Sequence, residues 1–333
     1  MFDCNLHYLF YKKYYEYLEK IGKIEEAKDI EKEMKKYENE IKTINEKIQK
    51  FKILDKENTI KTISDEKKSD LESDIKTFEL KTVYPGLLLG LGYAHAIGNV
   101  DDEVKVGFSF DYVTGMPYIP ASSIKGTLRS AFKYGNGAYI KELLSELKID
   151  SSKIDIVDFE KSIFGESNES KKTNEQNEPS KSNEISETKE QKDEDVIPVN
   201  KRDIFYDAYP NCSGNSSLLD FDYITPHCQN ELKNPIPIKI LKISPDVIIK
   251  FTFNLKKYET KEEIIDGQKK LELFKKILID LGIGAKTNVG FGVLREDKKV
   301  CKECGGNVGV DKKTGKHYEI CNACIVKKQK KIN

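Results

Sequence analysis

Four of the chain's seven cysteines fall in one window, as Cys301-Lys-Glu-Cys304 and, sixteen residues on, Cys321-Asn-Ala-Cys324. Two thiolates spaced by two residues grip one side of a tetrahedral ion, and a second pair closes it from a neighbouring hairpin. Gly305 and Gly306 supply the positive backbone angles of a knuckle turn. The pattern predicts a structural zinc on Cys301, Cys304, Cys321 and Cys324; reduced, metal-free cysteines or a cluster of another metal are the alternatives. Four thiolates leave no open coordination position, so this zinc would not be catalytic. Lysines outnumber acidic residues from 298 to 333, and a balance of about +5 remains after the metal site is counted. That charge suits a polyanion, although a solubilising tail has the same composition.

A second candidate is Ile119-Pro-Ala-Ser122-Ser123-Ile-Lys125-Gly-Thr-Leu-Arg129, read as a strand end, a serine-capped helix start, and two cations one turn apart on one face. Free amides at the helix start with Lys125 and Arg129 would make a phosphodiester site. An ordinary capped helix with solvated basic residues has the same pattern. A third is Gly282-Ile-Gly284-Ala285-Lys286-Thr287-Asn288-Val-Gly290-Phe-Gly292. Its glycines would let backbone approach a ligand, with Lys286, Thr287 and Asn288 as donors; a tight connection without ligand is the alternative. It is not a nucleotide-binding P-loop, because Ala285 precedes the lysine and the loop runs from a helix into a strand. His95, near Asp101, Asp102 and Glu103, could be an acid/base cluster, against a partly buried histidine beside a solvated acidic loop. His227 is open between a structural hydrogen bond and an RNA contact, and neither a nucleophile elbow nor a zincin motif is present.

These groups need elements to hold them. Apolar positions at alternating steps of three and four over residues 27–51 predict a long amphipathic helix, packed on its own core or paired with a partner. With Tyr11, Tyr14, Tyr15 and Leu18 upstream, residues 1–82 read as a helical N-terminal extension. The core is expected over 83–296, with strands at 86–94, 104–110, 117–119, 203–207, 237–243, 247–255 and 289–295 and helices at 122–134, 139–147 and 261–281. A Glu-, Lys-, Asn- and Ser-rich stretch, 166–195, reads as a disordered insertion, and 297–333 as the zinc ribbon and basic tail. The order predicts an α+β, ferredoxin-like sheet with two helices on one face.

Lys and Arg total 56 against 56 Asp and Glu, so the net charge is zero, while charged residues make up 34% of the sequence and part of the chain must be solvated rather than packed. The longest uncharged stretch, 82–100, holds Pro85, His95 and several glycines, which argues against a membrane span. Asp3 and an interrupted apolar run argue against a secretory signal, and the scattered Cys4, Cys212 and Cys228 against a disulfide framework; a cytoplasmic protein is expected.

Three segments together resemble the RAMP superfamily of CRISPR proteins, within it the sixth-subunit family of the Cmr, or type III-B, effector complex. They are Gly90-Leu-Gly92 with Tyr118-Ile-Pro-Ala-Ser-Ser-Ile-Lys-Gly-Thr-Leu-Arg129; Phe205-Tyr-Asp-Ala-Tyr-Pro210 with Asp222-Tyr-Ile-Thr-Pro-His227; and the 282–292 glycine loop. The resemblance implies a ferredoxin-like (RRM-like) RAMP fold in which Ser122, Ser123, Lys125, Arg129, Gly284, Ala285, Lys286, Thr287, Asn288, Gly290 and Gly292 hold CRISPR RNA. It implies target RNA and other Cmr subunits as partners. The family usually has Gly where Ala121 stands and often Tyr where Phe291 stands, and neither the insertion nor the zinc ribbon belongs to its pattern. In related subunits that cut target RNA, an aspartate after the first strand carries metal-dependent cleavage. Asp101 and Asp102 lie in that region without a motif that identifies them, so a non-catalytic subunit is expected. The rival is a RAMP endoribonuclease using His95 or a neighbouring acid on CRISPR or target RNA.

Overall fold

The computed structural model describes residues 5–16, 30–50, 75–93, 95, 102–165, 201–211, 217–225, 237–297 and 324. The 166–195 insertion, Asp101, His227, Cys301, Cys304 and Cys321 lie outside the described residues. No helix among the described residues is long and apolar enough to cross a membrane.

Helices and sheet are mixed along the chain. Strand β1 (Ile75–Thr82) buries Phe78, Leu80 and Thr82 in alternation, as a half-buried strand requires. It pairs antiparallel with β6 (Ile248–Asn254), placing Phe78 opposite Phe251 and Leu80 opposite Ile249. The outer strands are β9 (Leu294–Arg295) on β1 and, on β6, β2 (Ile204–Phe205) and β3 (Tyr209–Asn211). A second sheet pairs β4 (Leu219–Ile224) with β5 (Ile238–Ile243), and Leu87 bridges to Ile243. A short hairpin joins β7 (Tyr258–Glu259) to β8 (Ile264–Ile265).

Residues 75–82 were expected in the helical extension, so the core begins earlier than residue 83. Glu79 and Lys81 alternate with Phe78, Leu80 and Thr82, a period of two that a charged neighbourhood conceals. Among the described residues the expected strands at 86–94, 104–110 and 117–119 form isolated bridges, among them Leu87 to Ile243, Phe110 to Pro117 and Ile119 to Ala208. The 261–281 helix starts later, at Gly267, because Ile264 and Ile265 pair in the β7–β8 hairpin.

Before the sheet, α1 (Leu6–Tyr8) continues into a π-helical turn, Leu9–Lys13. Helix α2 (Ile30–Gln49) falls inside the expected 27–51 stripe and buries Tyr37, Ile41, Ile44 and Ile48. It packs on its own chain: Gln49 donates to Asp220 at 3.0 Å, and Asn45 to the Asp102 carbonyl at 2.9 Å.

Three helices follow β1: α3 (Ala121–Lys133), α4 (Ala138–Glu146) and α5 (Ile156–Phe164), the last absent from the expected set. Helix α3 buries Ile124, Leu128, Ala131 and Phe132, one stripe at helical spacing. Asp155 caps α5 through the amides of Val157 and Asp158. Helix α6 (Gly267–Leu281) is capped by Asp266 through the Lys269 amide and buries Leu271, Phe274, Ile277 and Leu278. Phe274 meets Phe205 and Phe253 at ring separations of 5.9 and 5.5 Å, so α6 covers one face of the larger sheet.

The largest polar commitment inside this core is the Asp203–Lys270 pair, at 2.9 Å with side chains 0% and 1% exposed. Burial pushes the carboxyl up and the ammonium down, outweighing their mutual attraction. Asp203 also accepts from the Lys256 amide at 2.7 Å. The pair ties the approach to β2 onto α6.

Candidate nucleic-acid interface

The glycine loop leaves α6 at Gly282, whose amide donates to Leu278, and returns to β9. Its base is backbone against backbone. Ile283 donates to Gly292 at 2.9 Å, Ala285 to Leu88 at 3.0 Å, and Gly292 to Gly86 at 2.8 Å, while Val83 donates to Val293 at 3.0 Å. A Cβ on Gly284 would lie 2.5 Å from the Leu88 oxygen, and one on Gly292 would collide with the Ile283 carbonyl. At the Cα these two glycines serve a close approach of the chain's own backbone. The expected 289–295 strand is shortened to β9 because Thr287–Val289 forms a 3-10 turn.

The tip of the loop differs from its base. Lys286 is exposed, adopts φ of +59°, and pairs with no carboxylate among the described residues. The amides of Lys286, Thr287 and Asn288 have no acceptor among the described residues, and Asn288 is exposed. One exposed cation and three successive amides without an acceptor among the described residues therefore sit together at the tip, groups that can receive an anion's oxygens.

The second expected site is built differently. Pro120, not a serine, is the N-cap of α3, and no side chain of the Ser122-Ser123 pair caps the helix. The Ala121 amide donates to Asp207 Oδ1 at 2.7 Å, so a carboxylate from 86 residues away occupies the place where a phosphate was expected. Arg129 is also engaged, donating to Glu160 at 2.9 Å and to the Gly165 carbonyl at 3.2 Å. Lys125 lies 6.0 Å from the Phe205 ring centre, and burial, then Arg129 and Arg202, pull its pKa down. Ser122 and Ser123 are exposed. The cations Lys125, Arg129 and Arg202 thus lie near one another, and Arg129 is paired with Glu160. Arg202, absent from the expected set, reaches this cluster by packing on Gly165. The contact partners of this cluster and of the glycine loop do not overlap.

A family model described as the RAMP superfamily matches residues 79–295, a span that contains both places. The chain belongs to the RAMP superfamily. Among relatives, the CRISPR system CMR subunit Cmr6 of Saccharolobus solfataricus is 27% identical over 232 residues, covering 68% of this chain and 60% of the relative. The CRISPR system Cmr subunit Cmr6 of Pyrococcus furiosus is 27% identical over 219 residues, covering 55% and 58%. The chain spans about three fifths of the length of these curated relatives. Among solved structures, a type III-B Cmr-beta complex bound to cognate target RNA contains a chain similar at a TM-score of 0.48 and 23% identity, covering 78% of this chain and 72% of that one. Cmr6 from Pyrococcus furiosus gives a TM-score of 0.34 at 21% identity, covering 67% and 97%.

For a RAMP protein the acid/base candidates bear on cleavage. His95 is 0% exposed, with Nδ1 2.6 Å from the Val104 carbonyl and Nε2 2.8 Å from that of Phe10. Its ring stacks on Phe10 at 3.7 Å, and burial lowers its pKa. Neither nitrogen can meet a substrate in this conformation. Asp102 pairs with Lys239 at 2.9 Å, and Glu103 is buried. These groups tie the α1 segment and β5 to the loop after residue 93. Of the four zinc candidates only Cys324 is described, and it is buried.

Proposed function

We propose that this chain is a non-catalytic, RNA-binding structural subunit of a type III-B (Cmr) RNA-guided effector complex, acting in the cytoplasm in antiviral defence beside other Cmr subunits. CRISPR RNA and target RNA are its nucleic-acid partners. The core is ferredoxin-like: β1, α3 and β2 form one half, β6, α6 and β9 the other, in the sheet order β2-β6-β1-β9. The observation that carries the RNA reading is the glycine-loop tip, where exposed Lys286 and three amides without an acceptor among the described residues stand together. The Lys125, Arg129 and Arg202 cluster adds positive potential of lower accessibility. The enclosed His95 and the paired Asp102 support a non-catalytic role. A structural zinc on Cys301, Cys304, Cys321 and Cys324 completes the reading.

The test is a salt series of binding to two unrelated RNAs by the purified full-length chain. Lys286→Ala should weaken both alike and reduce the slope of log affinity against log salt by about 0.7, one single-strand phosphate contact. Unchanged affinity and slope would remove the loop from the RNA path. Incubation of the same RNAs with and without a divalent cation should leave them intact, and specific cleavage would refute the non-catalytic assignment.

A further inference from the structure

The turn beside the glycine loop carries an aromatic ring that the fold does not use. Tyr84 is 79% exposed, and neither its ring nor its hydroxyl has a partner among the described residues. Its backbone is nevertheless fixed from three sides. Gly86 donates to Val83 at 2.8 Å across the turn, Val83 donates to Val293 and Gly292 to Gly86 from the loop, and Leu87 donates to Ile243. Pro85 lies against Gly290, its Cδ 3.5 Å from where a Cβ would stand there. The turn therefore flanks the loop whose tip bears Lys286 and the free amides, and Val289 between them is 67% exposed.

We infer that Tyr84 is a stacking platform for an unpaired base of single-stranded RNA whose phosphate lies at the Lys286–Asn288 tip. The inference rests on the RNA reading of that loop and names what the loop alone does not supply. Phosphate oxygens take the amides and the ammonium, while the adjoining base needs an aromatic face. Single-strand binding sites combine these two elements, a cationic track and rings on which bases stack. A fixed turn strengthens the case, because the backbone that carries the ring loses little freedom when a base covers it. Stacking needs a base free of a helix, so the site selects single strands and is indifferent to sequence.

The experiment uses the full-length chain, an unstructured adenosine- and uridine-containing RNA oligonucleotide, and the same strand annealed to its complement. Tyr84→Ala should weaken single-strand binding about 5- to 100-fold with little change in salt slope, because stacking releases no counterions. Duplex binding should be unaffected. Tyr84→Phe and Tyr84→Trp should retain single-strand affinity, which separates ring stacking from a role of the hydroxyl, and thermal melts check that each variant is folded. Wild-type affinity in Tyr84→Ala, while Lys286→Ala binds weakly with a reduced slope, would overturn the stacking role and leave the RNA reading standing. Equal loss on single strand and duplex would also overturn it. If Lys286→Ala binds like wild type, the loop reading fails first and this inference with it.

Discussion

Replacing Gly284 by alanine tests whether the glycine loop is built for its own chain. The residue has φ of +92°, a region where a β-carbon costs about 1–2 kcal/mol. The new Cβ would stand 2.5 Å from the Leu88 oxygen and 2.7 Å from Leu87 Cδ1, so the loop must lift from the 83–90 segment. Lifting strains the hydrogen bond from Ala285 to Leu88, worth about 0.5–1.5 kcal/mol net. The total expected is about 1.5–3.5 kcal/mol. Gly290 is the internal control, because its φ is +94° but a Cβ there meets only Pro85 Cδ at 3.5 Å. Gly290→Ala should therefore cost the backbone share alone, about 1–2 kcal/mol. Urea unfolding of both variants measures the difference. At an m-value of about 3 kcal/mol/M, Gly284→Ala should lower the midpoint by roughly 1 M and Gly290→Ala by about half as much. Equal midpoints would refute the backbone-to-backbone explanation.

Other outcomes follow from the same packing. Lys270→Met should cost about 3–5 kcal/mol because Asp203 is left charged and buried, whereas Lys270→Met with Asp203→Leu should recover most of it. The double variant keeps a deficit of about 1–3 kcal/mol from the orphaned Lys256 amide, and denaturation showing the double variant no better than the single would contradict this account. Gly126→Ala on α3 should raise stability by about 1 kcal/mol, since nothing lies within 4 Å of a Cβ there; a lower melting temperature would count against it. Metal analysis should find one zinc per chain, lost when Cys301→Ser and Cys304→Ser are combined; full zinc in that variant would remove these ligands.

Periodicity in the sequence was enough for α2, α3 and α4, for β6 and for most of α6, because their apolar stripes repeat at 3.6 or 2 residues and need only near neighbours to be recognised, while β5 was legible as a short Ile- and Leu-rich run. The ordered segments from Gly90 to Gly292 were likewise enough for the family. What tertiary structure alone decided was the assignment of partners. β1 became a central strand because β6, about 170 residues later, offers Ile249, Phe251 and Phe253 in the matching register. The start of α3 was closed by Asp207 and Arg129 was taken by Glu160, both choices invisible in a motif that reads as free cations and free amides. The glycines show why: a residue without a Cβ reports that something comes close, and only the folded chain shows that at Gly284 and Gly292 it is Leu88 and Ile283. Local pattern determines which face of an element is apolar, whereas hydrogen-bonding and charged groups take whichever partner the fold brings within about 3 Å.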